Sequence, residues 1–129
     1  MNTIKISQEI PFERVQDLLC NAIEGGSNYW YQIDNYIYPF KETKESLNIQ
    51  FEHIELPFKG GKIIFKDISG ETDTPDKEYS LDLQAIKDGL QLMADKFPIH
   101  FADFIAENDD AITGDVFLQC CLFNDVIYG

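Results

Sequence analysis

Hydrophobic residues recur at helical spacing in two long stretches of this 129-residue chain. After Pro11, apolar side chains return every three or four positions, and Gly25-Gly26 supplies the left-handed residue that commonly ends a helix. A second stripe follows Asp82, a residue suited to capping a helix, and continues to Phe97. The pattern therefore predicts two amphipathic helices, one after Pro11 and one after Asp82.

Two shorter helices are predicted in the C-terminal part of the chain. Residues Ile99 to Glu107 place their aromatic side chains on one side of a helix that follows Pro98. Residues Val116 to Phe123 are apolar nearly all round, which is typical of a buried helix, with a buried strand as the alternative.

Alternating or β-branched segments predict the strands. They are Thr3–Ser7, Tyr29–Ile33, a hairpin of Phe51–Leu56 with Lys62–Ile68 across Gly60-Gly61, and an extended piece at Glu78–Leu81. Residues 41–50 and 69–77 have the polar composition of loops. We expect a single α+β domain over residues 1–129, with a small antiparallel sheet packed against three to four helices. A parallel nucleotide-binding sheet is disfavoured, because strands and helices do not alternate strictly.

The chain is strongly acidic, with 23 acidic and 10 basic residues and a net charge of −13. Residues 81–129 hold nine acidic and two basic residues, so they carry seven of the thirteen excess negative charges. This balance argues against direct binding to nucleic acid or to anionic membranes. The sequence lacks an apolar run long enough to cross a bilayer and the pattern of a signal peptide, so a cytoplasmic location is expected.

Three cysteines, Cys20, Cys120 and Cys121, occur in apolar surroundings. Their odd number and their neighbours predict free, buried thiols in place of a disulfide framework. No cofactor-binding motif is recognised in the chain.

An aromatic cluster is the strongest local anomaly of the sequence. Six aromatic residues lie within twelve positions, beginning at Tyr29. Large rings with polar tips suit a protein interface or a stacked base, and the candidate binding residues there are Asn28, Tyr29, Trp30 and Tyr31. Filling of the core by these same rings is the alternative interpretation.

A second candidate surface is acidic. His100, Asp103 and Glu107 fall at i, i+3 and i+7 of a predicted helix, and Asp109, Asp110 and Asp115 follow closely. Oxygen-rich clusters can hold Mg²⁺ or Ca²⁺, but the spacing does not match a calcium loop and no zinc motif is present. We therefore interpret these carboxylates as a solvated binding face and assign no metal ligand.

Two segments carry a resemblance to known proteins. They are residues 22–31, Ala-Ile-Glu-Gly-Gly-Ser-Asn-Tyr-Trp-Tyr, and residues 101–120, which include Glu-Asn-Asp-Asp and Gly-Asp-Val-Phe-Leu-Gln-Cys. The chain resembles a group of small uncharacterised proteins encoded by bacteriophages and prophages. The resemblance covers about a third of the chain and implies a context in a host cell, without any catalytic assignment.

Three functional hypotheses follow from these features. The first is a non-catalytic acidic protein of phage or mobile-element origin that docks on a host protein with a basic surface, such as a nucleic-acid-binding or defence protein. The second is a protein that binds and sequesters a small molecule, for example a nucleotide, stacked on the Tyr29-Trp30-Tyr31 segment. The third is a metal-assisted enzyme that uses His100, Asp103 and Glu107. The sequence favours a protein that is not an enzyme, and an aromatic strand with two apolar faces makes a homodimer reasonable.

Overall fold

The computed structural model describes residues 2–70 and 77–129. The helices there are α1 (Phe12–Asn21), α2 (Glu52–Glu55), α3 (Leu83–Lys96), α4 (Pro98–Ile105) and α5 (Ala111–Phe123), and the strands are β1 (Tyr31–Ile37), β2 (Lys62–Asp67) and β3 (Glu78–Leu81). A π-helical turn (Ala22–Gly26), called the π-turn below, continues α1, and a 3₁₀ helix (Leu56–Lys59) continues α2. The three strands form one antiparallel sheet, so the predicted α+β class is confirmed.

The sheet has the order β1-β2-β3, which places β2 in the centre. Phe65 of β2 lies opposite Ile33 on one neighbour and Tyr79 on the other, and Ile63 lies opposite Leu81. The register of β1 against β2 shifts between Ile33 and Asn35, which is typical of a β-bulge. Side chains of this sheet face join the same hydrophobic core as the helices.

Helix α5 is the central element of the fold. Nine consecutive residues, 113–121, are buried, and α5 packs against α1, the π-turn, α3, α4 and β3. A helix covered on all sides needs apolar residues all round, which explains its sequence. It begins at Ala111, earlier than predicted, because the Asp110 side chain caps it by accepting the Thr113 amide at 3.0 Å.

The helices after Pro11 and Asp82 form as predicted. Pro11 precedes α1, and the Asp82 carboxylate accepts the Ala85 amide at 2.8 Å at the start of α3. The predicted left-handed stop at Gly25-Gly26 is wrong, since both glycines belong to the π-turn and neither has a positive φ.

The glycines are needed because the π-turn approaches α5 closely. A Cβ at Gly26 would lie 2.0 Å from the Ala111 carbonyl oxygen, and one at Gly114 would lie 2.6 Å from the Ala22 nitrogen. Backbone therefore packs directly on backbone where the π-turn meets the first turns of α5.

Two predicted strands are wrong. Residues Thr3–Ser7 belong to no strand of the described structure, because an alternating segment forms a strand only beside a sheet edge. Phe51–Leu56 falls largely in α2 and the start of the 3₁₀ helix, and the Glu55 carboxylate accepts the Gln50 and Phe51 amides at 2.9 and 2.6 Å. These bonds stabilise a helical turn, and β2 pairs with β1 and β3 instead.

Other predicted boundaries differ by a few residues. Strand β1 begins two residues after Tyr29 and extends to Ile37, and α4 ends before Glu107, whose φ of +61° is left-handed. Gly60 does adopt a positive φ, +91°, but it ends the 3₁₀ helix and is not part of a hairpin turn. The predicted loop of residues 69–77 lies mostly outside the described residues.

The close packing at the π-turn generates a test with a matched pair of substitutions. Gly26→Ala forces a methyl group into the Ala111 backbone and is expected to lower the free energy of unfolding by about 2 kcal/mol or more. Gly25→Ala meets only the Ala111 Cβ at 3.7 Å and is expected to be neutral or stabilising by about 0.5 kcal/mol. Urea denaturation measures both; equal effects of the two substitutions would contradict the described approach.

Candidate functional site

Residues of the segments 22–31 and 101–120 meet in space at the Asp115 carboxylate. This side chain belongs to α5 and is buried. Its Oδ1 accepts hydrogen bonds from Ser27 Oγ at 2.7 Å, Trp30 Nε1 at 2.8 Å and Gln119 Nε2 at 3.1 Å. Its Oδ2 accepts the Tyr29 hydroxyl at 2.6 Å. Four donors thus replace the water that a buried carboxylate loses, and they tie the turn after the π-turn to α5.

The candidate aromatic platform lies largely in the core. Trp30 is fully buried, and its ring contacts those of Tyr31, Phe123 and Tyr128 at centroid distances of 5.4, 5.0 and 5.8 Å. Tyr31 is also buried and donates its hydroxyl to the Ile23 carbonyl. Neither ring offers a free face on which a base could stack.

The other two candidates of this segment reach the surface. Asn28 is exposed, and Tyr29 keeps 50% of its surface exposed although its hydroxyl is bonded to Asp115. Among the candidate binding residues, Trp30 and Tyr31 therefore serve packing, and Tyr29 keeps a partly exposed ring.

A polar network extends from Asp115 to a second buried carboxylate, Asp67, at the end of β2. Gln119 Oε1 accepts the Ile127 and Tyr128 amides at 2.8 Å, and its Nε2 donates to the Tyr128 carbonyl at 3.1 Å. The Tyr128 hydroxyl donates to Asp67 Oδ2, and Ser69 donates its amide and hydroxyl to Asp67 Oδ1 at 2.8 and 2.7 Å. The network fixes the segment after α5 against the sheet.

Burial raises the pKa of the Asp67 carboxyl, but hydrogen bonds from Tyr128 and Ser69 outweigh it. The net result is a pKa below the usual value for this residue. The ionised form of Asp67 is therefore the one that the folded protein stabilises.

Asp109, a candidate of the acidic face, holds the fold together. Its carboxylate accepts Arg14 Nη2 at 3.1 Å and Asn21 Nδ2 at 2.9 Å, both from α1. Arg14 also donates to the Phe104 carbonyl at 2.6 Å and lies over the Phe104 ring, 4.9 Å from its centroid. Since Arg14 is the single arginine of the sequence, its engagement here leaves lysines as the source of free cationic groups.

His100, Asp103 and Glu107 do not share one helical face as predicted. Glu107 follows the end of α4, and its Oε1 lies 3.6 Å from Arg14 Nε. His100 Nδ1 lies 3.4 Å from Thr113 Oγ1, a hydroxyl partner instead of a carboxylate. Asp110 caps α5, where hydrogen bonds from backbone amides, first that of Thr113, lower the pKa of its carboxyl.

Metal-binding geometry is likewise not found among residues 2–70 and 77–129. No group of three or more histidine, cysteine or acidic side chains there is arranged to hold a metal ion.

A cysteine and a histidine do approach the same carboxylate near the surface. Cys20 Sγ donates to Glu24 Oε2 at 2.8 Å, and His53 Nε2 lies 3.1 Å from the same oxygen. Burial and the neighbouring Glu24 raise the pKa of the Cys20 thiol to about 11. A thiol with this pKa is protonated at neutral pH and is a poor nucleophile.

The other two cysteines are free and buried, as predicted. Burial raises the pKa of Cys120 to about 12 and that of Cys121 well above its ordinary value.

The described structure also has a groove that sequence reasoning did not find. It encloses about 500 Å³ between α1, α3 and the segment before α1, and we call it the α1–α3 groove. Its apolar lining residues are Ile6, Ile10, Phe12, Val15, Phe58, Leu83, Ile86, Leu90, Ala94 and Phe101, and its polar ones are Gln8, Lys87, Gln91 and Asp95. The apolar stripes of α1 and α3 predict amphipathic helices, but they do not show that part of each stripe lines an open groove.

Comparisons of the chain with protein-family models, with curated proteins and with solved structures find no match. Within the described ranges, no helix combines the length and apolar character required to cross a membrane.

The Asp115 site yields a prediction on stability. Asp115→Ala leaves the buried donors of Ser27, Trp30 and Gln119 without their acceptor, and we expect a loss of about 3 kcal/mol or more in the free energy of unfolding. Asp115→Asn keeps an oxygen for these donors and is expected to cost about 1 kcal/mol. Urea denaturation followed by tryptophan fluorescence measures both, with exposed Asp125→Asn as the control. Equal losses for Ala and Asn would contradict the proposed hydrogen bonding.

Asp67 yields a prediction on pH dependence. Because its folded-state pKa is lowered, its stabilising contribution is present above the unfolded-state value of about 4 and is lost as the pH falls through the folded-state value. Asp67→Asn removes this titration, so its free energy of unfolding should decline less than that of the wild type on acidification below about pH 4. Urea denaturation over a pH series makes the comparison. Parallel pH profiles would show that Asp67 does not carry the effect.

Proposed function

We propose that this chain is a non-catalytic acidic binding protein that docks on a partner protein with a basic surface. The resemblance to phage and prophage proteins makes a host protein, such as a nucleic-acid-binding or defence protein, the expected partner. The observation that carries the proposal is the net charge of −13 combined with the placement of the acidic side chains.

Few of the acidic side chains are neutralised within the protein. Across the described residues, the ion pairs involve the cationic side chains Arg14, Lys59 and Lys66, together with His53. Most of the other carboxylates on the helices are exposed, among them Glu13, Asp88 and Asp95. A surface of this kind attracts cationic partners over a distance of about one Debye length and repels anionic ones.

Part of the predicted acidic face remains available for such docking. Asp103 and Glu107 are partly or fully exposed, and so is Asp110. Asp109 and Asp115 are instead committed to internal hydrogen bonds. We therefore retain Asp103, Glu107 and Asp110 as candidate contacts and assign Asp109 and Asp115 to the fold.

The alternatives receive less support from the geometry. A stacked nucleotide would need the ring faces of Trp30 or Tyr31, which are buried. A metal-assisted reaction would need His100, Asp103 and Glu107 to converge, whereas His100 faces Thr113 and Glu107 faces Arg14.

Co-purification from the host with a salt series tests the proposal. Native mass spectrometry of the purified chain should reveal a bound basic protein that is released as the salt concentration rises, because screening weakens exposed charge contacts. A bound metabolite, or a chain that carries no protein at low salt, would contradict it.

A charge-neutralising pair of variants locates the contact. The double substitution Asp103→Asn and Glu107→Gln removes two negative charges from the acidic face and should weaken binding of the co-purified protein by about tenfold. Glu42→Gln with Glu45→Gln removes the same charge from an exposed segment elsewhere and should change the affinity by less than about twofold. Equal effects of the two pairs in a binding titration would show that overall charge alone, and not this face, governs docking.

A further inference from the structure

We propose that residues Thr3–Ser7 of one copy of this chain add as a fourth strand to the outer edge of β1 in a second copy, so that two copies exchange these segments. The proposal concerns self-association and goes beyond the proposed docking on a basic protein.

Strand β1 forms an edge of the sheet and has unpaired backbone on its outer side. It pairs with β2 alone, because the sheet has the order β1-β2-β3. In the described part of the chain, no backbone group of residues 31–37 bonds to a backbone group outside this ladder, and the Tyr36 amide donates to the side chain of Asn35 at 2.9 Å. Every second residue of an edge strand points its amide and carbonyl away from the sheet, so β1 offers donors and acceptors to a further strand.

Residues Thr3–Ser7 have the pattern of a strand that lacks a partner. Polar residues alternate there with Ile4 and Ile6. In the fold this segment belongs to no ladder, and the two isoleucines keep 90% and 87% of their surface exposed. An alternating segment pairs its backbone and covers its apolar face when it adds to a sheet edge. The unpaired segment and the unpaired edge therefore complement each other.

The position of the segment in its own chain favours a second copy as the acceptor. Ile6 and Ile10 line the α1–α3 groove beside α3. Helix α3 packs against β3, which forms the opposite edge of the sheet from β1. The segment therefore lies towards the β3 side of its own fold. Reciprocal exchange about a twofold axis pairs both β1 edges and closes the assembly at two copies.

The lengths and faces of the two strands match. The segment has five residues, and β1 has seven, whereas β3 has only four. Ile33 and Tyr36 of β1 are partly buried and pack against the hydrophobic core. Ile4 and Ile6 both fall on one face of an added strand, so they can continue the apolar face of β1 at the edge of the sheet.

The charges of the two strands are opposite. Asp34 is the single charged residue of β1, and Lys5 is the single charged residue of the segment. Asp34 lies on the outer face of the sheet, where its Oδ1 is 3.4 Å from Lys66 Nζ. When the two isoleucines face the core side, Lys5 faces the same outer side as Asp34. Antiparallel pairing of β1 with β1 of a second copy, centred on Asp34, would instead bring two like charges together.

Light scattering during size-exclusion chromatography of the purified chain tests the self-association. At about 100 µM chain and about 0.5 M salt we expect a mass twice the 14.8 kDa of one chain. Salt should strengthen the dimer, because it screens the repulsion between two copies that each carry a charge of −13. The docking on a basic protein is expected to respond to salt in the opposite sense.

A matched pair of proline variants locates the exchanged strand. Ile4→Pro removes an amide from the middle of the segment and should raise the dissociation constant of the dimer by at least about tenfold. Asn2→Pro makes the same change just before the segment and should alter it by less than about twofold. Both positions are exposed in the fold, so circular dichroism should show both variants folded as the wild type.

Cross-linking in a mixture of ¹⁵N-labelled and unlabelled chains identifies the acceptor. A carbodiimide joins an amine to a carboxylate in direct contact, so it should couple Lys5 of one chain to Asp34 of the other. Peptides that combine both isotopes are the expected result.

The mass of a single chain at every salt concentration would overturn the proposal. A dimer that tolerates Ile4→Pro, or Lys5–Asp34 peptides that join only chains of one label, would overturn the exchange between copies. These assays use the purified chain alone, so their failure leaves the docking on a basic protein standing. Conversely, the absence of a basic protein among the co-purified host proteins leaves the exchange standing.

Discussion

The fold depends on the buried carboxylate of Asp115. Its two oxygens collect donors from Ser27, Tyr29, Trp30 and Gln119, so one side chain fixes the turn before β1 onto α5. A carboxylate removed from water is tolerated only when its lone pairs are occupied, which makes these donors and the close packing around them interdependent. The indole nitrogen of Trp30 bonds to this carboxylate while its ring fills the core beside Phe123 and Tyr128.

The same region shows why glycine occurs both in the π-turn and in the first turns of α5. Gly26 and Gly114 lie where the backbone of the π-turn and that of α5 approach each other more closely than a Cβ would allow. Once the π-turn and Asp115 are locked together, α1 is held on one side of α5, and α3 packs on α5 as well.

Exposed and internal carboxylates have different roles in the proposed docking. Exposed carboxylates favour encounter with a cationic protein and make the association sensitive to salt. Internal carboxylates contribute to neither effect: Asp67, Asp109 and Asp115 are occupied by hydrogen bonds from within the protein.

The periodicity of the sequence determined the long helices, the Asp82 cap of α3 and the α+β class, because α1, α3 and α5 each bury a pattern that is visible in their own residues. The strand predictions failed at two segments. Thr3–Ser7 is not a strand, because an alternating segment forms one only beside a sheet edge. At Phe51–Leu56, local hydrogen bonds favour a helical turn. Whether Trp30 or Asp115 faces solvent was decided by tertiary structure, since these two side chains bond to each other across 85 positions of the chain. The groove was also beyond the sequence, because an apolar stripe has the same pattern whether the protein's own core or an open groove receives it.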